Sequence, residues 1–173
     1  MEWSKTKEIS VMIILTLLCI ACFPVNPLVL SGVLDTPFYL PVFIIGWIVW
    51  AIGMVLVLAP IIMFPRHGGV ARGKSFVYTT KLVDSGIYSV VRHPQYLGGI
   101  LALFLATLLF YPHWLFVVLG VPGVFILYFS TMLEERRLVR QFGGDYVAYM
   151  KKVPRMNIIQ GIVRQSRRKK LNP

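Results

Sequence analysis

The sequence predicts an all-α integral membrane protein with about four to five transmembrane helices. Hydrophobic residues make up 57% of its 173 positions and charged residues only 14%, a balance that excludes an ordinary water-soluble domain. Long uncharged stretches and a one-sided distribution of lysine and arginine support the same class. The length fits one domain.

Four apolar stretches are long enough, or nearly so, to cross a hydrocarbon core of about 30 Å, which needs roughly 20 helical residues. They cover residues 9–30, 38–64, 95–111 and 114–133. The first is too long for a cleaved signal peptide, so we expect it to remain as a span. Pro24 or Pro27 could break it and leave a short fifth helical piece.

The basic residues predict the orientation, because short cytoplasmic loops carry the excess of lysine and arginine. Segment 31–37 holds only Asp35, whereas 65–92 holds five basic residues against one acid, and eleven of the eighteen basic residues follow position 133. Loop 65–92 and the C-terminal tail are therefore expected to face the cytoplasm. Anionic lipid headgroups are the expected partner of these charges, at about 1 kcal/mol per basic residue.

The distribution of aromatic residues argues against nucleic-acid binding, because they lie in the spans and not among the basic residues. We expect three regions: N-terminal transmembrane helices (1–64), a region of loop, helical hairpin and short amphipathic helices (65–155), and a basic cytoplasmic tail (156–173). Cys19 and Cys22 share an apolar helix with no His, Asp or third Cys nearby, so we expect them to pack. No metal site is predicted.

The last two apolar stretches are separated only by a short aromatic turn, which predicts a transmembrane hairpin. Closing the hairpin places "RHPQY" (92–96) opposite "EERR" (134–137) at the cytoplasmic interface. Pro94 suits the first turn of the helix, where its missing N–H would have no partner anyway.

Two adjacent carboxylates at a membrane boundary are costly unless each has a partner. Glu134 and Glu135 could neutralise neighbouring arginines or receive a cationic ligand, and the sequence leaves both open. The residues that follow predict short amphipathic helices against the membrane. In the first, Glu135, Leu138 and Phe142 share one face, and Asp145 is expected to cap the second.

Two motifs resemble the integral-membrane methyltransferases of the isoprenylcysteine carboxyl methyltransferase and phospholipid methyltransferase superfamily. That family has an RHPxYxG signature, a glutamate pair at the end of the next span, and then FGxxYxxYxxxVP. The resemblance covers roughly residues 75–155. The matching residues are Arg92, His93, Pro94, Tyr96, Gly98, Glu134, Glu135, Phe142, Gly143, Tyr146, Tyr149, Val153 and Pro154.

The resemblance implies methyl transfer from S-adenosylmethionine, bound on the cytoplasmic side, to a membrane lipid or prenylated substrate. Arg92 and Glu135 are then the candidate catalytic residues, since Arg92 could hold an acceptor carboxylate and a glutamate or His93 could take a proton from an amine. The implied cofactor-binding residues are Lys81, Leu82, Val83, Tyr88, His93, Pro94, Gln95, Tyr96, Glu134 and Glu135.

The acceptor stays open at this point. Prenylcysteine enzymes carry a basic residue about one turn before the glutamate pair, where this chain has Ser130 and Thr131. A carboxylate acceptor and a lipid amine of the phosphatidylethanolamine type are therefore both kept. An NADPH-dependent membrane reductase and a non-enzymatic lipid-binding protein remain as alternatives.

Overall fold

The computed structural model describes residues 32–33, 35–69 and 80–171. Within these ranges the chain forms helices and no strand, in agreement with the predicted all-α class. The predicted first span, with its two cysteines and two prolines, lies outside the described residues, so the count of four to five spans stays a prediction. The described helices are α1 (Leu40–His67), a 3₁₀ turn (Gly86–Ser89), α2 (Pro94–Phe110), α3 (Trp114–Phe142), α4 (Gly144–Lys152) and α5 (Ile158–Leu171).

Two of these helices have the length and composition needed to cross a membrane. They are α3 and the Leu40–Pro60 part of α1, and α2 is a shorter apolar helix. Large apolar side chains on α1 and α3 are exposed, including Trp47 and Val55 on α1 and Phe125 on α3. An apolar surface this extensive suggests association with a membrane.

Helix α2 begins at the predicted place, with Pro94 in its first turn. Its middle, Ile100–Leu105, is π-helical. The following turn leads into α3, whose first turn is stabilised because the backbone N–H of Leu115 donates to Nδ1 of His113 at 3.2 Å. Helices α2 and α3 contact each other.

Helix α3 does not stop where its apolar stretch stops. It continues past residue 133 to Phe142, so the first predicted amphipathic helix is the last part of α3. The helix ends at Gly143, whose φ of 58° lies in the left-handed region that favours glycine.

Helix α4 starts directly after that glycine. The prediction that Asp145 caps it is wrong, because Gly143 occupies the cap position and Asp145 lies within the first turn. The carboxylate is still near the positive end of the helix dipole, and Lys151 and Lys152 occupy the last turn, where the dipole favours cations.

The basic C-terminal segment forms helix α5, which packs beside the 3₁₀ turn. Arg168 donates to the backbone carbonyls of Ser89 and Lys152 at 2.9 and 3.1 Å, and Gln165 donates to the Ser89 hydroxyl at 2.6 Å. Gly161 lies against the carbonyl of Val90, where a Cβ atom would collide. The contacts fix α5 next to the loop that precedes α2.

Close packing of α1 on α2 depends on glycine. A Cβ atom on Gly98 would lie 2.5 Å from the carbonyl oxygen of Gly53, whereas one on the adjacent Gly99 would meet only Leu127 at 3.8 Å. Gly98 is thus required for the close packing of α1 on α2.

Replacing Gly98 with alanine is expected to lower the free energy of unfolding by about 1–3 kcal/mol, as overpacking does. Gly99→Ala is the matched control and should be neutral or stabilising by about 0.5–1 kcal/mol, because alanine is the better helix former. Unfolding of both variants in detergent gives the comparison. Equal losses at the two positions would contradict the packing described here.

Candidate active site

A cavity lies where the loop before α2, the first turn of α2, the end of α3 and helix α4 meet. The predicted site residues converge on this cavity, with one exception: Glu135 lies behind its wall. The prediction that residues 92–96 face the glutamate pair is confirmed by the contacts described below. The lining residues are Lys81, Leu82, Val83, Tyr88, Arg92, His93, Pro94, Gln95, Tyr96, Glu134, Arg137, Leu138, Phe142, Tyr146 and Tyr149.

The segment that starts α2 is held by the backbone of the segment that follows α4. The N–H of Arg92 donates to the carbonyl of Pro154 at 3.0 Å, and the N–H of His93 donates to the carbonyl of Arg155 at 3.1 Å. These bonds fix the Arg-His pair at the cavity wall. They also bring the end of the second motif to the first.

Glu135 is the centre of a buried polar cluster. Its carboxylate is 5% exposed, and its Oε1 atom lies 3.2 Å from Nε2 of His93 and 3.1 Å from Nη1 of Arg92. Arg155 donates from Nε to Oε1 at 3.0 Å and from Nη2 to Oε2. Arg92 and Arg155 thus neutralise Glu135. Neutralisation by arginines is one of the two roles that the sequence left open for the glutamate pair.

Glu134 has a different environment from its neighbour. Its side chain is 30% exposed and lies on the cavity wall. Its Oε2 atom is 3.7 Å from Nδ1 of His93, beyond hydrogen-bond length, and is buried without a hydrogen-bond partner among the described residues. Oε1 lies 3.9 Å from Nη2 of Arg137. Glu134 therefore has unused capacity to accept hydrogen bonds from a cation in the cavity.

Four tyrosines line the cavity: Tyr88, Tyr96, Tyr146 and Tyr149. The hydroxyl of Tyr149 donates to the backbone carbonyl of Tyr88 at 2.7 Å, which joins α4 to the 3₁₀ turn. Burial raises the pKa of Tyr88 and of Tyr149, so both phenols stay protonated at neutral pH. Tyr146 and Tyr149 pack with Val153 in a core that also includes Leu82, Leu138, Val139, Phe142 and Met150.

Arg155 holds Glu135 in place and was not among the predicted site residues. The lining residues that were also not predicted to bind the cofactor are Arg137, Leu138, Phe142, Tyr146 and Tyr149. Arg155 contacts Glu135 and donates from Nη1 to the hydroxyl of Tyr128 at 3.1 Å. No periodicity or charge pattern marks it, because one arginine among eleven basic residues after position 133 carries no distinguishing signal. Only its position directly after the second motif could have drawn attention to it.

The family follows from a comparison with known proteins. Residues 41–145 match the model of a family described as phospholipid methyltransferase. The chain belongs to this family. The matched range runs from α1 to the start of α4 and includes the RHPxYxG signature and the glutamate pair, but it ends before Tyr146. The resemblance predicted from the motifs is confirmed.

Three curated relatives carry the name methanethiol S-methyltransferase. The protein from Pseudomonas deceptionensis is 32% identical over 128 residues, which is 71% of this chain and 44% of the relative. Enzymes 1 and 2 of Bradyrhizobium diazoefficiens are 37% and 32% identical over 67 and 68 residues, 39% of this chain in each case and 22% and 25% of the relatives. The chain thus matches less than half the length of each. No solved structure is significantly similar to the chain.

Proposed function

We propose that this protein transfers a methyl group from S-adenosylmethionine to a membrane-embedded, lipid-like acceptor. The observation that carries the proposal is the buried Oε2 atom of Glu134, which has no hydrogen-bond partner among the described residues and lies on the cavity wall. An unsatisfied buried carboxylate oxygen favours a cationic ligand. Membership of a methyltransferase family supports the same chemistry.

The residues present fit the charges of S-adenosylmethionine. When bound, this cofactor supplies an electrophilic methyl group on a sulfonium. Glu134 would hold its ammonium, and the faces of Tyr88 and Tyr96 suit a sulfonium cation. The backbone of residues 81–83 and the Gln95 side chain offer further polar contacts.

Methyl transfer requires little covalent work from the protein itself. The cavity must hold donor and acceptor in line and keep water away. An acceptor carboxylate is already ionised and needs no base, and Arg92 is the group that would hold it. Its side chain is 9% exposed, and Nε and Nη1 have no hydrogen-bond partner among the described residues, although Nη1 is within ion-pair distance of Glu135.

A second candidate acceptor is a thiol, which is favoured by the names of the relatives. A lipid amine is a third. Both must lose a proton before or during transfer, and His93 or a glutamate would have to accept it. Arg92 in the cavity wall disfavours a protonated amine, because like charges repel in a partly buried site.

The protein is further proposed to cross the membrane several times, with its active site facing the cytoplasm. The exposed apolar surfaces of α1 and α3 and the basic residues of α5 support this arrangement. Ile159, Ile162 and Val163 are exposed on α5 near Arg167 and Lys170, a composition that suits contact with anionic lipid headgroups.

The test is methyl transfer by purified protein in detergent, with a radiolabelled methyl group on the cofactor. Three acceptors are offered: an S-prenyl cysteine carboxylate, phosphatidylethanolamine and a short alkyl thiol. We expect label in a base-labile ester of the prenylated acid, and heat-treated protein is the control. Label on the thiol alone would replace the lipid-like acceptor with the second candidate. Label on none of the three would contradict the proposal.

A further inference from the structure

Arg155 contacts the active site through two routes that meet at one histidine. Its backbone carbonyl accepts from the N–H of His93 at 3.1 Å. Its guanidinium donates to both carboxylate oxygens of Glu135, whose Oε1 atom lies 3.2 Å from Nε2 of the same histidine. We propose that Arg155 is a positioning residue, which fixes the orientation and the tautomer of His93.

The first step is the fixed orientation of Glu135. A guanidinium that donates to both oxygens of a carboxylate sets the plane of that carboxylate as well as its position. Oε1 of Glu135 is therefore held in the direction of the His93 ring. Burial of the carboxylate keeps water from replacing these bonds.

The second step is the tautomer of His93. An ionised carboxylate can only accept, so Nε2 of His93 must carry the proton that points at Glu135. A hydrogen bond at one ring nitrogen sets which nitrogen is protonated. In the neutral ring, Nδ1 then keeps its lone pair on the side of Glu134, at 3.7 Å from Oε2 of that residue.

The third step is that the guanidinium of Arg155 binds protein groups that do not line the cavity. Its Nε and Nη2 atoms bind Glu135, and Nη1 donates to the hydroxyl of Tyr128 at 3.1 Å. The guanidinium also lies 5.3 Å from the centre of the Tyr128 ring, within cation–π range. All three nitrogens are thus used by the protein, and Arg155 does not line the cavity.

The consequence for catalysis rests on the proposed function. If the acceptor is a thiol or an amine, the acceptor's proton would pass to Nδ1 of His93 and the acceptor's lone pair would take the methyl group. The proton would later leave the histidine for water. Without Arg155, the ring could turn or adopt the other tautomer. The groups that face the ring are Glu134 and Glu135 of α3 and Tyr96, three residues further along the chain on α2. Arg92 and Arg155 lie against the same Glu135 carboxylate.

The test uses the full-length protein in detergent, labelled with ¹⁵N in its histidine rings. We expect His93 of the parent to give separate Nδ1 and Nε2 signals for one tautomer, assigned by their loss in His93→Gln. In Arg155→Met these signals should average, and Arg155→Lys should not restore them, since an ammonium cannot hold both carboxylate oxygens. Arg140→Met, at an exposed position of α3, is the matched control and should leave the signals unchanged.

A folded Arg155→Met protein with unchanged His93 signals would overturn the inference. If this variant does not fold by circular dichroism, Arg155→Lys replaces it, because an ammonium keeps the positive charge but cannot hold both oxygens of Glu135. We expect averaged signals in Arg155→Lys, and separate, unchanged signals there would overturn the inference equally.

Kinetics separate this inference from the proposed function. With a thiol or amine acceptor, Arg155→Met should lower kcat roughly 10- to 100-fold, part of what a base contributes, and change the Kd of S-adenosylmethionine less than about threefold. Averaged His93 signals in a protein that transfers no methyl group would support the positioning role and contradict the proposed function. Normal methyl transfer by the parent protein, with unchanged His93 signals in Arg155→Met, would support the proposed function and contradict the positioning role.

Discussion

Replacing Glu135 with glutamine is expected to lower the free energy of unfolding by about 3–5 kcal/mol, the cost of removing one partner from a buried ion pair. The change leaves Arg92 and Arg155 facing a neutral amide, and Arg92 is almost wholly buried. An amide can replace one acceptor but brings two N–H donors toward arginines that are themselves donors. Chemical unfolding in detergent, followed by circular dichroism, gives the measurement.

Glu134→Gln is the control for this first prediction, because it makes the same change at the adjacent position. Its side chain is more exposed, and its contacts with His93 and Arg137 are both longer than hydrogen bonds. We therefore expect a loss of less than about 1 kcal/mol, as for partly exposed ion pairs. Equal losses of unfolding free energy in the two variants would contradict the different roles given to the two carboxylates, with Glu135 buried among arginines and Glu134 facing the cavity.

The same Glu134→Gln variant is expected to show the second large effect, a loss of affinity for S-adenosylmethionine. Removing one partner of a desolvated charge pair costs roughly 2–5 kcal/mol, which is on the order of 30- to several-thousand-fold in Kd. Equilibrium dialysis with radiolabelled cofactor measures the change. Asp145→Asn is the matched control, since this carboxylate is exposed on α4 and does not line the cavity.

An unchanged Kd in folded Glu134→Gln protein would remove this carboxylate from the cofactor site. An equal loss in Asp145→Asn would point instead to a long-range effect of negative charge near the cavity. Only a loss confined to position 134 agrees with the buried Oε2 atom as the group that receives the cofactor's ammonium.

The sequence predicted the helices well where a strong physical signal marks them. Apolar stretches placed α1 and α2 to within a few residues, and Pro94 marked the start of α2. The continuity of α3 through residue 133 was not predicted, because hydropathy marks where a membrane ends, and a helix continues until its backbone is interrupted. Here the interruption is Gly143, and it also moved the cap of α4 away from Asp145.

The residues of the candidate site were predicted mainly from the two motifs. Contacts that depend on three-dimensional packing were not predicted. The short turn between α2 and α3 brings His93 to the glutamate pair, so this contact could be anticipated. Which glutamate faces the cavity could not, because adjacent helical residues point about 100° apart and packing sets the rotation of α3. The approach of Arg155 to Glu135 could not be anticipated either. That approach comes from backbone pairing between segments some sixty residues apart, which leaves no pattern in a single sequence.

The most direct test of the central claim is a calorimetric titration of the purified protein with S-adenosylmethionine, with its demethylated product S-adenosylhomocysteine, and with NADPH. The account predicts saturable binding of the first two, competition between them, and no binding of NADPH. The cavity contains a carboxylate for an ammonium and tyrosine faces for a sulfonium, features that a methyl donor uses. Saturable binding of NADPH alone would contradict the account and return the protein to the reductase alternative.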